Sequence, residues 1–479
     1  MKHFFITIVL LALFNSSIKA ESWSDAGNYN ISWYTADPNI YISSATELAG
    51  VAYLVNNNFT DFSNQTIHLK SDIDLSNKNW IPIGHNYTFK GSIDGHGHSI
   101  TGISINNSNN VQGFIGNMSN GIVRCLTLKG NINTNKTKAG MLVASASGCI
   151  FQDLNIISNI SYINQTISAS TSWNTQIYSG GVVAIASNCT FTDIKSKFEQ
   201  SLIFGKSGGG SCFGYFYLYA GGIVGYASST NNYLRCEGIS SFNNTVYGYN
   251  TSSYYSITGS TNIYCGGIVG RDSSSSSNFT SCLSRIINSY GSHPTGIYDI
   301  VSFYTMGFGY LSGKIKNSVA IVDSYNIVGH DYSWVASWYH TNAYLYDCGE
   351  YKPSSIGGCY FNKDVSKTTT KINGDVQKLL SSTSYTKAQI NTQSFVDELN
   401  FYSRLNMNGE ENWEIKEGQI KLKHPQYNYT DIKDVNTYND QPNETVEYYT
   451  LQGIRVQPPL LPGIYVRRQG TKSEKILIN

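Results

Sequence analysis

Through most of this chain apolar residues alternate with polar ones, in short runs divided by Gly, Ser and Asn. Period-two alternation between turn residues predicts β-strands. Ile67-His68-Leu69, Ile73-Asp74-Leu75 and Ile100-Thr101-Gly102-Ile103-Ser104-Ile105 are examples. One pattern then recurs. Ala220-Gly221-Gly222-Ile223-Val224-Gly225 returns as Cys265-Gly266-Gly267-Ile268-Val269-Gly270, with looser copies from Ser179 to Ala184, Ala139 to Ala144 and Gln112 to Gly116. Each copy leads through a polar stretch to a second apolar run, such as Ile122 to Leu126, Tyr233 to Cys236 and Phe279 to Leu283. A two-strand unit repeated in this way predicts a repeat architecture. One unit cannot bury its own apolar face; stacked on its neighbours, it can.

The leading glycines stand 27 residues apart from Gly113 to Gly140, then 41, 41 and 45. The longer spacings fit either one extra rung or insertions, at 160–178, 205–219 and 242–263. With roughly 20–25 residues per rung and about 4.8 Å between rungs, the stack would be on the order of 60–80 Å long. Insertions in repeat arrays tend to project from one side, often the binding side. Helical spacing is clearest just before the repeats. Ser44 and Glu47 form a capping box, and Leu48, Val51, Ala52 and Val55 follow at i, i+3, i+4 and i+7. Such a helix suits a cap over the first rung, whose edge groups and core would otherwise be exposed.

The Gly-Gly-Ile-Val-Gly cores, with Trp80-Ile81-Pro82-Ile83-Gly84, Phe89-Lys90-Gly91 and Asp94-Gly95-His96-Gly97-His98 upstream, carry a family resemblance. The chain resembles secreted GLUG-repeat proteins of Bacteroides-like bacteria over roughly residues 40–425. The resemblance implies an all-β fold: a right-handed parallel β-helix (solenoid) with an N-terminal helical cap and a small C-terminal β module. It implies little about activity. Gly113, Gly116, Gly140, Gly181, Gly222, Gly225, Gly267 and Gly270 are read as the structural glycines of the repeat core.

The expected organisation follows from these signals. Residues 1–20 read as a signal peptide: Lys2 and His3, an apolar core from Phe4 to Phe14, and cleavage after Ala20. That core is too short to span a membrane, no other stretch reads as a transmembrane helix, and Glu21 is not the Cys of a lipoprotein anchor. Residues 21–65 form a lead-in and the capping helix, and 66–373 the repeats. Residues 374–426 are a closing segment, with short helices over Val376 to Leu380 and Phe395 to Asn400 and a final strand through Trp413, Ile420 and Leu422. A polar linker, 427–445, precedes a β module at 446–479. Its Leu451-Gln452-Gly453 turn, Pro462-Gly463-Ile464-Tyr465 strand and final Lys475-Ile476-Leu477-Ile478 resemble the C-terminal sorting domains of type IX secretion. That resemblance implies a secreted protein or one held at the outer-membrane surface.

Net charge is +1, from 33 Lys+Arg against 32 Asp+Glu, so composition gives no case for nucleic acid as a partner. Charged residues make up 14% of the chain, whereas Tyr (36) and Gly (44) abound, a composition that favours extended structure over long solvated helices. Nine Cys form an odd set. Cys125, Cys236 and Cys282 each end a second run, where Asp153 and Asp193 stand in other units. This predicts a column of unpaired Cys packed as small apolar side chains rather than a disulfide framework. No CxxC or HxxxH spacing marks a metal site, and no cofactor is expected.

Two groups of residues could carry function. Trp334, Trp338 and Tyr339 sit in an aromatic crowd and could stack on sugar rings or a protein partner. Asp94, His96 and His98 form the densest ionisable cluster, on a turn that the resemblance makes structural; Asp323 and Asp331 near His330 are a weaker echo. No Walker loop, Gly-x-Ser-x-Gly or His-Glu-x-x-His is present. The favoured expectation is non-catalytic adhesion to a glycan or to a host or bacterial surface protein. Two alternatives stand beside it. A polysaccharide lyase or glycoside hydrolase predicts a cleft with converged Asp, Lys or Arg. A structural stalk predicts insertions on all sides.

Overall fold

The computed structural model describes residues 21–168, 173–208, 212–250, 257–293, 300–329, 341–346, 355–370, 374–378, 383–406, 410–425, 446–450, 455–456, 463–469 and 472–478. The chain divides into two compact units, Met1–Pro425 and Gln426–Asn479. The first is predominantly β. Its strands lie in three parallel sheets of seventeen, eight and five strands, called here broad, middle and narrow.

From Val111–Gln112 to Leu283–Ser292 each circuit of the chain adds to all three sheets; earlier circuits add strands to the broad sheet alone, and later ones to the broad and middle sheets. Ile115–Ser119 lies in the narrow sheet, Ile122–Thr134 in the broad and Lys138–Gly140 in the middle. The next circuit lays Val143 beside Ile115, Ile150 beside Ile122 and Gly180 beside Gly140, all parallel. The broad sheet continues this way from Asn39–Ile42 to Thr383–Tyr385. At about 4.8 Å per layer the stack is about 50 Å deep. That is shorter than expected, because the long glycine spacings hold insertions and no extra layers. Ile150–Ser168 runs 19 residues and returns as Trp173–Gly180; Thr190–Gly208 does the same and returns as Cys212–Gly221. The lengthened strands of the broad and middle sheets pack face to face, with Phe204 stacked on Phe216 at 3.8 Å. They form a fin at one corner of the coil.

The narrow sheet explains the repeated glycines. A Cβ at Gly222 would be driven into the Gly267 carbonyl oxygen of the next circuit and crowd Ser240 Oγ. At Gly267 it would strike Ser284 Oγ and the Gly307 carbonyl. Gly113, Gly116, Gly140, Gly181, Gly225 and Gly270 are likewise hemmed in by backbone or by a side chain of a neighbouring segment. Inside the coil, in-register apolar residues stack in columns: Phe151, Phe191, Tyr233 and Phe279 follow one another at 5.1, 5.0 and 4.5 Å.

The register revises the cysteine column. Cys125 aligns with Asp153, Asp193, Arg235, Ser281 and Asn317, each left-handed with φ between 48° and 57°. Cys236 and Cys282 stand one residue later and point inward with Leu126, Leu154 and Ile194. Cys125 therefore belongs to a different column. The six described cysteines, Cys125, Cys149, Cys189, Cys236, Cys265 and Cys282, are unpaired.

The helix Ala45–Asn56 (α1) begins at Ser44, whose hydroxyl accepts from Glu47 N while Glu47 accepts from Ser44 N. Its residues Leu48, Val51 and Val55 join the main core. At the other end of the unit the chain departs from expectation. Gly374–Lys378, read as the start of a helix over Val376 to Leu380, is a strand beside Asn342–Tyr346, so the sheets continue beyond residue 373. The β-branched Val376 has only a short apolar run around it, which periodicity alone cannot assign. After Lys387–Ile390 (α2) and Gln393–Asn406 (α3), the expected last strand is a hairpin, Trp413–Lys416 with Gln419–Leu422.

This closing segment lies along the outer face of the broad sheet. Phe395, Val396, Leu399, Trp413, Ile420 and Leu422 cover Leu283, Val319, Ile321 and Tyr360 in a second core. Its polar contacts reach several circuits. Asn412 donates to Ser281 Oγ at 3.1 Å and Arg285 to Gln419 Oε1 at 2.8 Å. The Asn317 amide oxygen faces the Trp413 indole N–H (3.2 Å) and the Ser403 hydroxyl (2.6 Å).

In the second unit, Val446–Thr450, Arg455–Val456, Gly463–Gln469 and Lys472–Ile478 form an antiparallel sheet. The expected linker lies outside the described residues.

Candidate functional site

The middle sheet carries a column of tyrosines on its outer face. Tyr178, Tyr219, Tyr264, Tyr304 and Tyr344 are in register on successive circuits. Lys138 precedes them and Val376 follows. Parallel in-register strands impose this stacking: identical residues recur at one layer spacing. The rings follow at 5.9, 5.3, 4.5 and 4.7 Å, within 20° of parallel. Tyr226 leans on Tyr178 and Tyr219 from the narrow sheet, and Tyr310 meets Tyr264 edge to face. Tyr215, 52% exposed, and Tyr217 extend the aromatic surface onto the fin.

Arg271 brings a cation against the centre of this wall. Its guanidinium lies 5.4 Å from the ring centres of both Tyr219 and Tyr310 and donates to the Tyr219 hydroxyl at 2.7 Å. Burial pushes the Tyr219 phenol up to about 12, against the pull of Arg271, so it stays protonated. Tyr219 is 1% exposed, beneath Tyr226 and Arg271, whereas Tyr178, Tyr264, Tyr304 and Tyr344 are half-buried and present part of their edges outward. The wall is therefore a row of hydrogen-bonding groups on an aromatic base, beside the fin.

Sequence reasoning placed Tyr344 in the aromatic crowd around Trp334 and Trp338 but missed the column and its other members, although a signal was present. Tyr178, Tyr219 and Tyr264 each stand two residues before a Gly-Gly pair. Trp334, Trp338 and Tyr339, the expected ligand contacts, lie outside the described residues, as do His330 and Asp331.

The ionisable clusters are tied up in structural pairs. Asp193, fully buried, takes a two-pronged contact from Arg235, which also reaches Glu410 at 2.9 Å. Asp323 pairs with Arg285 and Lys387. Asp72 accepts from Ser99 N and lies 3.5 Å from His98. A groove of about 300 Å³ crosses the broad sheet, with Lys129, Lys197 and Glu199 in its lining. It offers one carboxylate where glycoside hydrolysis ordinarily uses two.

The Asp94 turn is more elaborate than its sequence. Asp94 accepts from Arg124 Nε at 2.7 Å and from His96 N at 3.0 Å. His68, in register with Asp94 on the preceding circuit, places Nδ1 2.8 Å from His96 Nε2. Tyr41, His68 and His96 stack at 4.9 and 5.0 Å. Burial pulls His68 down to about 4 and lowers His96 as well, so both rings are neutral at pH 7.

No protein-family model matches this chain, and no curated protein does. Solved structures do. A provisionally named immunoglobulin A1 protease from Bacteroides ovatus is 13% identical over 80% of this chain and 92% of its own, with a TM-score of 0.37. An IgA1 protease is 12% identical over 83% of this chain, with a TM-score of 0.32. This chain spans 26% of that second protein. Likeness at this level says nothing about activity. Among the described residues no helix is long and apolar enough to cross a membrane.

Proposed function

We propose that this chain is an exported right-handed parallel β-helix of the GLUG-repeat kind that recognises a glycan without altering it chemically. One observation carries the reading: the lengthened strands leave the coil at one corner, beside the stacked tyrosines and Arg271. A stalk has no need to gather its insertions and its tyrosines on one side. Phenolic edges and a guanidinium suit the hydroxyl groups of an extended saccharide lying along the stack. The leader at 1–20 and the sorting-like tail support a place on the outer-membrane surface or in the medium.

The test is a glycan array on the mature chain, Glu21 to Asn479, with reducing-end release followed on the same polysaccharides. Binding without product, weakened at least tenfold by Arg271→Ala and Tyr264→Ala, is the expected result. A loss of binding only in Trp334→Ala/Trp338→Ala would move the site to the aromatic crowd. Product formation would replace recognition with catalysis. Silence on glycans, with capture of a surface protein, would replace the ligand class.

A further inference from the structure

Outside the tyrosine wall, the strongest unassigned chemistry is where His68, Asp94 and His96 meet. Their ligand atoms all lie within 4.8 Å of one another. The three come from two circuits, so the group exists only once the coil has formed. His68 Nε2 lies 3.0 Å from Asn39 Oδ1. An amide oxygen only accepts, so Nε2 carries the His68 proton and Nδ1 keeps its lone pair. That lone pair faces His96 Nε2 at 2.8 Å. His96 Nδ1 lies 3.8 Å from Asp94 Oδ1. His68 thus turns one nitrogen toward the His96 ring and holds its second nitrogen on an oxygen acceptor that is not itself a candidate ligand. Metal-bound histidines show the same arrangement, in which an outer oxygen fixes the tautomer of each ligand.

We propose that His68 Nδ1, His96 Nε2 and the Asp94 carboxylate bind a divalent transition-metal ion of the zinc class. Two imidazoles and one carboxylate are a recurrent zinc set, with further positions left to water. His68 and Asp94 are buried, and the His96 side chain, 13% exposed, forms the site's edge toward solvent. Binding replaces the proton held between the two rings. That proton moves from His96 Nε2 to Nδ1, and the ring stays neutral. With Zn–N distances of about 2.0–2.1 Å, the two nitrogens must separate by about half an ångström. Arg124 remains on the other carboxylate oxygen and offsets part of the charge.

The experiment is equilibrium dialysis of the untagged mature chain against Zn²⁺, followed by Co²⁺ absorption spectroscopy. One equivalent of Zn²⁺ is expected. His96→Asn, which suits a left-handed backbone position, and His68→Asn should each weaken binding at least tenfold. His98→Asn, beside the site but paired with Asp72, should leave it unchanged. Circular dichroism on each variant separates loss of the site from loss of the fold. The Co²⁺ complex should lack thiolate charge-transfer absorption. Absence of a stoichiometric site, equal binding by His96→Asn, or a thiolate band that places the metal on cysteine would each overturn the proposal.

Discussion

Arg235 and Asp193 occupy the same left-handed position on adjacent circuits and face each other in a two-pronged ion pair, Nε to Oδ1 at 2.6 Å and Nη2 to Oδ2 at 3.0 Å. Asp193 is fully buried, and the Arg235 side chain is 10% exposed. Removing one partner of such a pair leaves charge behind in a poorly solvated place. Asp193→Ala should lower stability by about 3–5 kcal/mol, read from urea unfolding. Asp193→Asn keeps an acceptor and should lose less. A cost for Asp193→Ala below about 1 kcal/mol would show that water reaches the pair.

Glycines here are needed for two separate reasons, and substitution distinguishes them. Gly222→Ala meets backbone of the next circuit and should cost about 3 kcal/mol or prevent folding, as overpacking against immovable atoms does. Gly418 has φ +70° and nothing within 4 Å of an added Cβ. It sits with Glu417 (φ 55°) in the two-residue turn of the closing hairpin, where both residues need positive φ. Gly418→Ala should cost about 1 kcal/mol. Thermal unfolding of the two variants side by side measures the difference.

Asp272 gives stability a pH dependence. Burial pushes its carboxyl up to about 6, although Ser274 N and Ser277 Oγ donate to it at 3.0 and 3.2 Å. The folded form therefore holds its proton between about pH 4 and 6, where the unfolded chain has lost it. Stability falls as pH rises through that window, by about 2–3 kcal/mol in total. Asp272→Asn removes the penalty and keeps an acceptor. It should raise the urea midpoint at pH 7 and change it little at pH 4. An equal shift at both values would mean that ionisation plays no part.

The tyrosine column couples neighbours. Tyr264→Ala removes stacked contacts to Tyr219 and Tyr304 and the edge contact of Tyr310, worth about 0.5–1.5 kcal/mol each. Tyr264→Phe keeps the rings and should cost no more than about 1.5 kcal/mol. If both variants bind glycan as wild type does, the wall is packing alone.

Sequence showed what one circuit demands of itself. Ser44 and Glu47 announced their helix, because a capping box is local. The Gly-Gly pairs announced the circuits, because only Gly tolerates carbonyls that close. What lay hidden was register. Arg124-Cys125 and Arg235-Cys236 look alike in the chain, yet Arg235 aligns with Cys125 and not with Arg124. His68 was missed for the same reason: it stands 26 residues before Asp94, and only stacking makes them neighbours. Val376 failed in the opposite direction, since its strand is made by its pairing with Tyr344.

The closing segment changes how force would travel through the first unit. A pile of layers held only by adjacent contacts peels from its end, one layer at a time, under a small load. Here one strip of chain is fastened to the Asp193–Arg235 pair through Glu410 (2.9 Å), to Glu237 through Lys421 (3.7 Å), to Ser281 through Asn412 and to Asp323 through Lys387. Those layers share the load like boards nailed to a common batten. The free layers from Asn39 to Asp153 should peel first, and the battened ones should tear away together, at higher tension and in a single step.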